Sequence, residues 1–340
     1  MRRGFLLLPL IGFAATASAA DPRGFSLGPV GAASVATAPY ETSPYQLAAA
    51  DATPEQKEGV LERTRRGVYS FTEGVARTVD SWFGEKPFEE GGEVSGSIGF
   101  NFLARQDEGL RSNLRFRARL ELPNLKEKGY LFFGQDNERE LVTDQPEAFT
   151  RQHQLLAESR RQDQSFFAGL GYVLRDYLEF RAGVRGGYKL YTQARYRRFW
   201  HLAAADRIDF RETLFWTVDD GFGSTTALEY EHAYSPTLSF RWRNAGTVSQ
   251  DTSGLAWSSS VGLFKALREQ RLVSLEGLVN GETGSRVNVA EYGVRAVWKQ
   301  PIFREWMRLE LTVGHFWPRD EDDSERGRSW AAGAGVEILF

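Results

Sequence analysis

The stretch Arg111-Ser-Asn-Leu-Arg-Phe-Arg-Ala-Arg-Leu-Glu-Leu122 decides the fold, because its side chains alternate in character. Apolar residues occupy the even positions from 114 to 122, whereas Arg and Glu occupy the odd positions from 115 to 121. Successive side chains of a β-strand point to opposite faces of a sheet, so this strand has one apolar and one charged face. A water-soluble sandwich would also alternate, since one face of each of its sheets is wet.

Repetition of the pattern separates the two folds. The same period of two returns at 178–185, 228–232, 238–243 and 308–313. The alternating segments run to about 10–13 residues, as tilted membrane strands require, and exceed the roughly 5–6 residues usual in soluble sheets. We therefore predict an all-β protein, an antiparallel up-and-down transmembrane β-barrel over residues 92–340.

The pattern predicts about fourteen strands, and an even number places both ends of the barrel on the periplasmic side. Twelve strands remain an alternative if 128–136 and 189–200 do not span. The longest gaps, 137–162 and 318–327, fall at the end of the barrel opposite the N-terminal segment. The predicted strands cover 92–104, 112–122, 128–136, 163–174, 177–186, 189–200, 206–218, 223–234, 237–249, 254–265, 271–281, 286–299, 305–317 and 328–340.

Composition excludes several classes of protein. The chain has no Cys, which rules out a disulfide or a thiolate metal site, and we expect no cofactor. The formal net charge is −3, so no basic excess favours binding of nucleic acid. Outside the first residues there is no apolar run of about 18 residues, which argues against a transmembrane helix. A barrel is compatible with the mean hydropathy of −0.42, because its strands alternate.

The N-terminal region is expected to be an export signal followed by a linker. Residues 1–20 combine Arg2 and Arg3, an apolar core and an Ala17-Ser-Ala19 cleavage motif, the pattern of a secretory signal peptide. Residues 21–52 are rich in Ala, Pro, Ser and Thr without a period, which indicates a flexible periplasmic leader. The mature N-terminus is therefore expected in the periplasm.

Residues 53–84 are predicted to form a short amphipathic periplasmic helix. Thr53, Pro54 and Gln56 supply a capping box with proline at the first helical position, and Gly84 ends the segment. Three roles remain open for it: packing on the rim of the barrel, plugging the lumen, or contacting another copy or a periplasmic partner. Helical spacing predicts that its apolar face, with Val68, Phe71 and Val75, is buried against the barrel.

The last six residues carry a resemblance to a known family. Gly335-Val-Glu-Ile338-Leu-Phe340 resembles the C-terminal β-signal of bacterial outer-membrane β-barrel proteins, in Gly335, Ile338 and the terminal aromatic Phe340. Gly333 stands where the signal has a polar residue. The resemblance implies recognition by the barrel-assembly machinery and a place in the outer membrane, in contact with its lipids and lipopolysaccharide. No narrower family is indicated.

Charged side chains are predicted to line the lumen, with Arg in excess over Glu. Two interpretations remain open and do not exclude each other: a network of ion pairs that fills the barrel, or a path for anions. The predicted path consists of Arg115, Arg117, Arg119, Arg181, Arg185, Arg241 and Arg243, and the acidic partners are Glu121, Glu179, Glu229 and Glu231. Glu229 and Glu231 could neutralise Arg241 and Arg243 from a neighbouring strand. Since only Glu121 is predicted near the Arg residues of 112–122, the anion path is placed there.

Histidine is the residue that would reveal a barrel enzyme. His315 falls on the lipid-facing register near the outer rim, where a lipid hydrolase would place its base, and His232 falls on that register near the inner rim. Ser329, the nearest nucleophile candidate to His315, has no evident orienting partner. We therefore expect no enzyme. The leading hypothesis is a passive channel for small hydrophilic, anion-leaning solutes, followed by a structural or partner-docking barrel closed by ion pairs.

Overall fold

The computed structural model describes residues 60–80, 92–107, 109–122, 128–143, 164–250, 252, 254–268 and 270–340. The predicted signal peptide and leader, 1–20 and 21–52, lie outside these residues. So do the predicted capping residues of the N-terminal helix.

Fourteen antiparallel strands form one closed barrel. Each strand pairs with its neighbours in sequence, and β1 pairs with β14 to close the sheet. The strands are β1 Glu93–Arg105, β2 Gly109–Leu122, β3 Gly129–Asn137, β4 Gln164–Arg175, β5 Leu178–Arg185, β6 Lys189–Ala203, β7 Asp206–Thr217, β8 Gly221–Ser235, β9 Leu238–Ser249, β10 Ala256–Ala266, β11 Leu272–Glu282, β12 Glu291–Ile302, β13 Arg304–Pro318 and β14 Ser329–Leu339.

The predicted fold class is confirmed, and the count is fourteen. The alternative of twelve strands is wrong, because β3 and β6, the two weaker predictions, both pair on each side within the closed sheet. Strand β3 is short, and its ladder with β2 covers Phe116–Leu122 only. A strand that completes a closed sheet needs no strong pattern of its own, since its backbone is bonded on both edges.

The two ends of the barrel differ in their connections. At one end, here called the termini end, β1 begins and β14 ends, and turns such as 204–205 and 236–237 join the strands. At the other, the loop end, lie the longer connections, which include 144–163 and 319–328. The strand order therefore shows the predicted arrangement, with long connections at the loop end and short turns at the termini end. The two ends are named by the chain and not by the compartment they face.

The outer surface of the barrel is apolar. In β2, Leu114 is 43% exposed, whereas its neighbour Arg115 is 8% exposed and faces the lumen. The same contrast recurs in β13, where Leu311 and Val313 are 45% and 58% exposed and Thr312 is 6% exposed. Apolar side chains that face outward on such separate strands are the pattern of a barrel surrounded by hydrocarbon.

The N-terminal helix, α1, spans Val60–Asp80 in the described part of the chain. It contacts β1 and β2, and Arg65 anchors it at the termini end: Arg65 Nε donates to the carbonyl of Leu339 at 3.0 Å. The Arg65 guanidinium also lies 5.4 Å from the Trp306 ring of β13. Of the predicted buried face, Val68 is half-buried, and the side chains of Phe71 and Val75 lie outside the description. None of the described helices is long and apolar enough to cross a membrane.

Candidate functional site

The lumen wall is the candidate site, and β2 carries its densest row of charge. Arg115, Arg117 and Arg119, here called the Arg ladder, alternate along β2 on the face opposite Leu114. Arg115 and Arg119 are buried, and Arg117 keeps 33% of its side chain exposed. Alternate residues of a strand point to the same face of the sheet, so the three guanidinium groups form a row along β2.

The acidic neighbours of the Arg ladder differ from the sequence prediction. Asp136 of β3 lies 3.3 Å from Arg115 Nε and also accepts hydrogen bonds from Arg117. Glu121, the one carboxylate predicted here, lies 3.6 Å from Arg119 and is 39% exposed. The prediction that Glu121 alone serves this wall is therefore wrong. Its physical reason is the register of β3, which sets Gln135 opposite Phe116 and so turns Asp136 inward beside the ladder.

One carboxylate, Glu179, gathers three guanidinium groups from different strands. Arg119, Arg181 and Arg195 lie 4.0, 3.1 and 3.1 Å from its oxygens. Tyr130 donates its hydroxyl proton to Glu179, and the Arg119 guanidinium lies 3.5 Å from the centre of the Tyr130 ring. Arg119 also lies 3.6 Å from Glu121, so three permanently charged guanidinium groups share two carboxylates among the described ion pairs of this cluster.

The far side of the lumen is closer to charge balance, as the sequence suggested. Arg243 Nε donates to Glu229 at 2.8 Å, and Arg241 Nε donates to Glu231 at 3.0 Å. Glu276 of β11 is shared by Arg295 at 2.9 Å and Arg243 at 3.7 Å. Arg243–Glu229, Arg241–Glu231 and Arg295–Glu276 pair across neighbouring strands, where opposite charges lie within reach of each other, and Arg243 reaches Glu276 across β10. Arg241 and Arg243 are therefore weaker candidates for an anion path than the Arg ladder.

The described inner faces divide the lumen into two unequal halves. On β2–β7 eleven basic residues, ten of them Arg, face inward against four carboxylates, whereas on β8–β14 and β1 six basic residues face eight acidic ones. The first half, here called the basic wall, carries Arg111, Arg115, Arg117, Arg119, Arg181, Arg185, Lys189, Arg195, Arg197, Arg207 and Arg211 with Glu121, Asp136, Glu179 and Asp209. The second carries Arg105, Arg241, Arg243, Arg295, Lys299 and Arg308 with Glu93, Glu229, Glu231, Glu276, Glu282, Glu291, Glu310 and Glu337.

At the loop end the basic wall meets acidic residues of the β7–β8 turn. Arg185 lies 3.1 Å from Asp220 and 3.7 Å from Asp219, and Lys189 lies 2.9 Å from Asp219. Lower on the wall, Arg197 lies 2.6 Å from Asp209 of β7. The excess of positive charge is thus concentrated between these pairs, around the Arg ladder and Glu179.

A short helix inside the barrel narrows the same side of the lumen. Strand β3 continues into α2, Glu138–Thr143, which contacts β3, β4, β6, β7 and β8. Val142 is 1% exposed and packs in a cluster with Tyr130, Phe132, Phe167, Tyr191 and Phe215. Gln193 of β6 donates its amide protons to the carbonyl of Leu141 at 2.8 Å and to that of Val142. Sequence analysis missed α2, since one and a half turns show no helical period.

The contact of Val142 with the wall predicts a change in conductance. Val142→Asp puts a carboxylate into an apolar cluster, where burial of the valine is worth roughly 1.5–3 kcal/mol. We expect α2 to leave its position and single-channel conductance to rise, with noisier open levels. Val142→Thr has nearly the same shape and serves as the matched control, with a smaller effect expected. Equal conductance in all three proteins would contradict a role for α2 in narrowing the lumen.

A separate cluster holds the wall at the loop end. Arg105 of β1 lies 2.9 Å from Glu291 and 2.8 Å from Asp107, and Ser329 Oγ donates to Asp107 at 2.6 Å. The pKa of the Asp107 carboxyl lies below its ordinary value: burial opposes ionisation, but the hydrogen bonds from Arg105 and Ser329 outweigh it. This cluster joins β14, β12 and the β1–β2 turn.

Ser329 corrects the sequence analysis on one point, because it has a partner. It is fully buried on the lumen face and bonds Asp107, whereas His315 is paired in register with Trp330 on the outer face. The wall of the barrel therefore separates His315 from Ser329, and they cannot act together. The His315 ring lies 4.4 Å from the rings of Trp317 and Trp330, an aromatic setting on the outer surface.

His232 also faces outward, near the termini end. Its Nδ1 lies 2.8 Å from Asp206 Oδ1, and the same oxygen accepts the Tyr230 hydroxyl proton at 2.6 Å. The described contacts of His232 are with Asp206 and the Tyr234 ring, and include no Ser or Thr hydroxyl. Within the part of the chain that is described, no group of three or more His, Asp or Glu side chains is placed to hold a metal ion.

Comparison with known proteins gives a likeness of fold and no family model. No family model and no curated protein matches the sequence. Among solved structures, a KdgM porin is 8% identical, with a TM-score of 0.35 over 72% of this chain and 99% of the porin. A loop-deletion mutant of OmpT, an outer membrane protein of Vibrio cholerae, is 10% identical, with a TM-score of 0.40 over 74% of this chain and 100% of that one. OccK8 (OprE) of Pseudomonas aeruginosa is 7% identical, with a TM-score of 0.41 over 74% and 98% of the two chains.

Proposed function

We propose that this barrel is a passive outer-membrane channel for small hydrophilic solutes, with a preference for anions. The observation that carries the proposal is the uneven distribution of charge around the lumen. The basic wall has ten inward Arg against four carboxylates, and the opposite half has a slight acidic excess. A solute between the two halves would meet a transverse field, with its anionic groups drawn toward the basic wall.

The chemistry of Arg suits this role. A guanidinium stays charged at any physiological pH and presents forked donors to carboxylate or phosphate oxygens. Basic side chains that line a pore favour anions, and a low-dielectric wall strengthens their field. Arg117, with a third of its side chain exposed, offers the most accessible donors of the Arg ladder. We place the anion path along the Arg ladder and the Glu179 cluster.

The second candidate is a structural barrel whose lumen is closed by ion pairs and α2. The pairs Arg243–Glu229 and Arg241–Glu231 favour it, because they join neighbouring strands and fill lumen space. In this case α1, held by Arg65 at the termini end, is the natural contact for a periplasmic partner. The N-terminus is then on the periplasmic side, as in the channel proposal, and lipopolysaccharide and the barrel-assembly machinery are the expected partners.

Electrical recording of the purified full chain tests the two functions. The protein is inserted into planar bilayers, and the zero-current potential is measured across a tenfold gradient of KCl. A potential whose sign shows that chloride permeates more readily than potassium supports the proposal. Insertion without conductance leaves the structural barrel, and a potential of the opposite sign contradicts the anion path.

A further inference from the structure

The outer wall of the barrel carries a charged side chain near the middle of β7. Glu212 is the seventh residue of the twelve-residue strand β7 and lies on its outward register, between Phe210 and Leu214. Leu214 is 57% exposed, so the carboxylate lies within the apolar band of the barrel. On the following strands β11–β14, the mid-strand outward positions are apolar: Leu275, Val294, Leu311 and Ala334.

Glu212 belongs to a strip of polar side chains across β7–β10 that consists of two hydrogen-bonded groups. Ser224 Oγ donates to its Oε1, and Thr226 Oγ1 donates to its Oε2 at 2.6 Å. Further along, Ser259 Oγ donates to Asn244 Oδ1 at 2.8 Å and accepts from Trp242 Nε1 at 3.2 Å. The polar strip is defined here as Glu212, Ser224, Thr226, Asn244 and Ser259. All five are on the outward registers of their strands.

Such a strip is costly against lipid hydrocarbon. Charged side chains on the lipid face of a barrel destabilise it most near the middle of the membrane. Two hydroxyl donors satisfy part of a carboxylate, which offers about four acceptor positions. Asn244 keeps both amide protons, because none of the described residues accepts a hydrogen bond from its Nδ2. The strip therefore has a carboxylate at Glu212 that can accept further hydrogen bonds and an amide at Asn244 that can donate them.

The positions of these two groups fit a second copy of the chain. Asn244 is the seventh residue of the twelve-residue strand β9, as Glu212 is of β7, and both strands start from tight turns at the termini end. The two residues therefore lie at the same depth in the membrane, two strands apart, with β8 between them. In a twofold interface residue i contacts j while j contacts i.

We propose that β7–β10 form a twofold interface between two copies of this chain in the membrane. The axis lies along the membrane normal at β8, close to Leu228. Glu212 of each copy accepts hydrogen bonds from Asn244 of the other, and both are removed from lipid. Leu228, 40% exposed and level with Asn244 in the β8–β9 register, packs against its own counterpart at the axis. This inference is independent of whether the lumen conducts.

Cysteine cross-linking in native membranes tests the interface, and the chain offers a clean background since it contains no Cys. Leu228→Cys is expected to give a disulfide-linked dimer in outer membranes on mild oxidation, before any detergent is added. The matched control is Leu311→Cys, at 45% exposure on β13 and outside the proposed interface, which is expected to stay monomeric. No cross-link at position 228, or equal cross-linking at both positions, overturns the proposal.

The hydrogen-bond pairing has its own variants. In the Leu228→Cys background, Asn244→Leu is expected to reduce the cross-linked fraction severalfold, because it leaves Glu212 of the other copy without its donor. The exchange Glu212→Asn with Asn244→Glu restores complementarity and is expected to recover the cross-link. Heat-modifiability on gels verifies that each variant is a folded barrel. Cross-linking that is unaffected by Asn244→Leu, or a ladder beyond the dimer, contradicts the twofold pairing.

Discussion

Replacing Arg115, Arg117 and Arg119 together by Ser is expected to move the zero-current potential of the barrel toward cation preference. The substitution removes three of the ten inward Arg of the basic wall and leaves Asp136, which they neutralise, without its two guanidinium partners. A unit charge about 4 Å from a passing ion changes its energy by about 1 kcal/mol even in water, roughly fivefold in local concentration. The ratio of chloride to potassium permeability should therefore fall by at least that factor.

The matched control removes charge without changing the balance. Arg243→Ser combined with Glu229→Ser deletes a pair whose atoms lie 2.8 Å apart in the nearly balanced half of the lumen. Selectivity should stay close to that of the natural protein. Because Arg115 and Arg119 are buried, the single variant Arg117→Ser, which changes the most exposed member, guards against loss of folding. Unchanged selectivity in both Arg variants would show that the wall does not govern the ions that pass.

The membrane barrel was predictable because its signal is local and repeated. The alternation in 111–122 tells the face of every residue without knowledge of its partners, and β2 is observed at Gly109–Leu122. Alternation predicts the end of a strand wrongly where it continues beyond the paired residues of the sheet. Residues 286–290 alternate as a strand would, yet the ladder between β11 and β12 ends at the pair Asn280 and Glu291. Alternation reports the direction of side chains and not the presence of a bonded neighbour.

The electrostatics of the site could be predicted only in part, because they depend on register. The sequence predicts that Glu229 and Glu231 can pair with Arg241 and Arg243, and the individual pairs, Glu229 with Arg243 and Glu231 with Arg241, follow from the tight turn between β8 and β9. Asp136 was missed as the partner of the Arg ladder, because the turn between β2 and β3 is longer and does not define the register from sequence. Gln193, which holds α2 through backbone carbonyls 51–52 residues away, has no sequence signal at all.

The alternation in the sequence already assigns the residues of the polar strip to outward faces, but only the structure shows which of them contact each other. The alternation of β7 places Glu212 on the apolar register, where a single exception resembles a local break in the pattern. Only the pairing of β7 with β8 brings Ser224 and Thr226 to Glu212, and only the pairing of β9 with β10 brings Ser259 to Asn244. An exception to a membrane pattern is informative when neighbouring strands repeat it at the same depth.

Phe340 closes the barrel at the seam between β1 and β14. Its backbone N–H donates to the carbonyl of Gly96 at 3.0 Å, and the Gly96 N–H donates to the carbonyl of Phe340 at 2.9 Å. The ring stacks on Phe116 of β2, with ring centres 6.3 Å apart, and packs against the cluster of Val94 and Leu120. Gly96 leaves room for it, because a Cβ there would lie 2.4 Å from the Phe340 ring.

Deletion of Phe340 is therefore expected to reduce strongly the amount of folded barrel in the outer membrane. The Phe340 side chain is half-buried, so its loss costs part of the roughly 1.5–3 kcal/mol that full burial is worth, and two seam hydrogen bonds are lost with it. Two experiments separate seam packing from recognition of the terminal residue by the assembly machinery. Heat-modifiability measures folded protein in cells, and refolding into lipid vesicles measures the stability of the seam without the machinery.

Phe340→Leu keeps an apolar side chain at the seam and removes the aromatic ring. Failure of both variants in cells, with Phe340→Leu refolding normally in vesicles, indicates recognition of the aromatic residue. Failure of the deletion in both settings, with Phe340→Leu folding normally in both, indicates the seam. Normal folding of the deletion in cells and in vesicles would overturn both roles of the terminal residue.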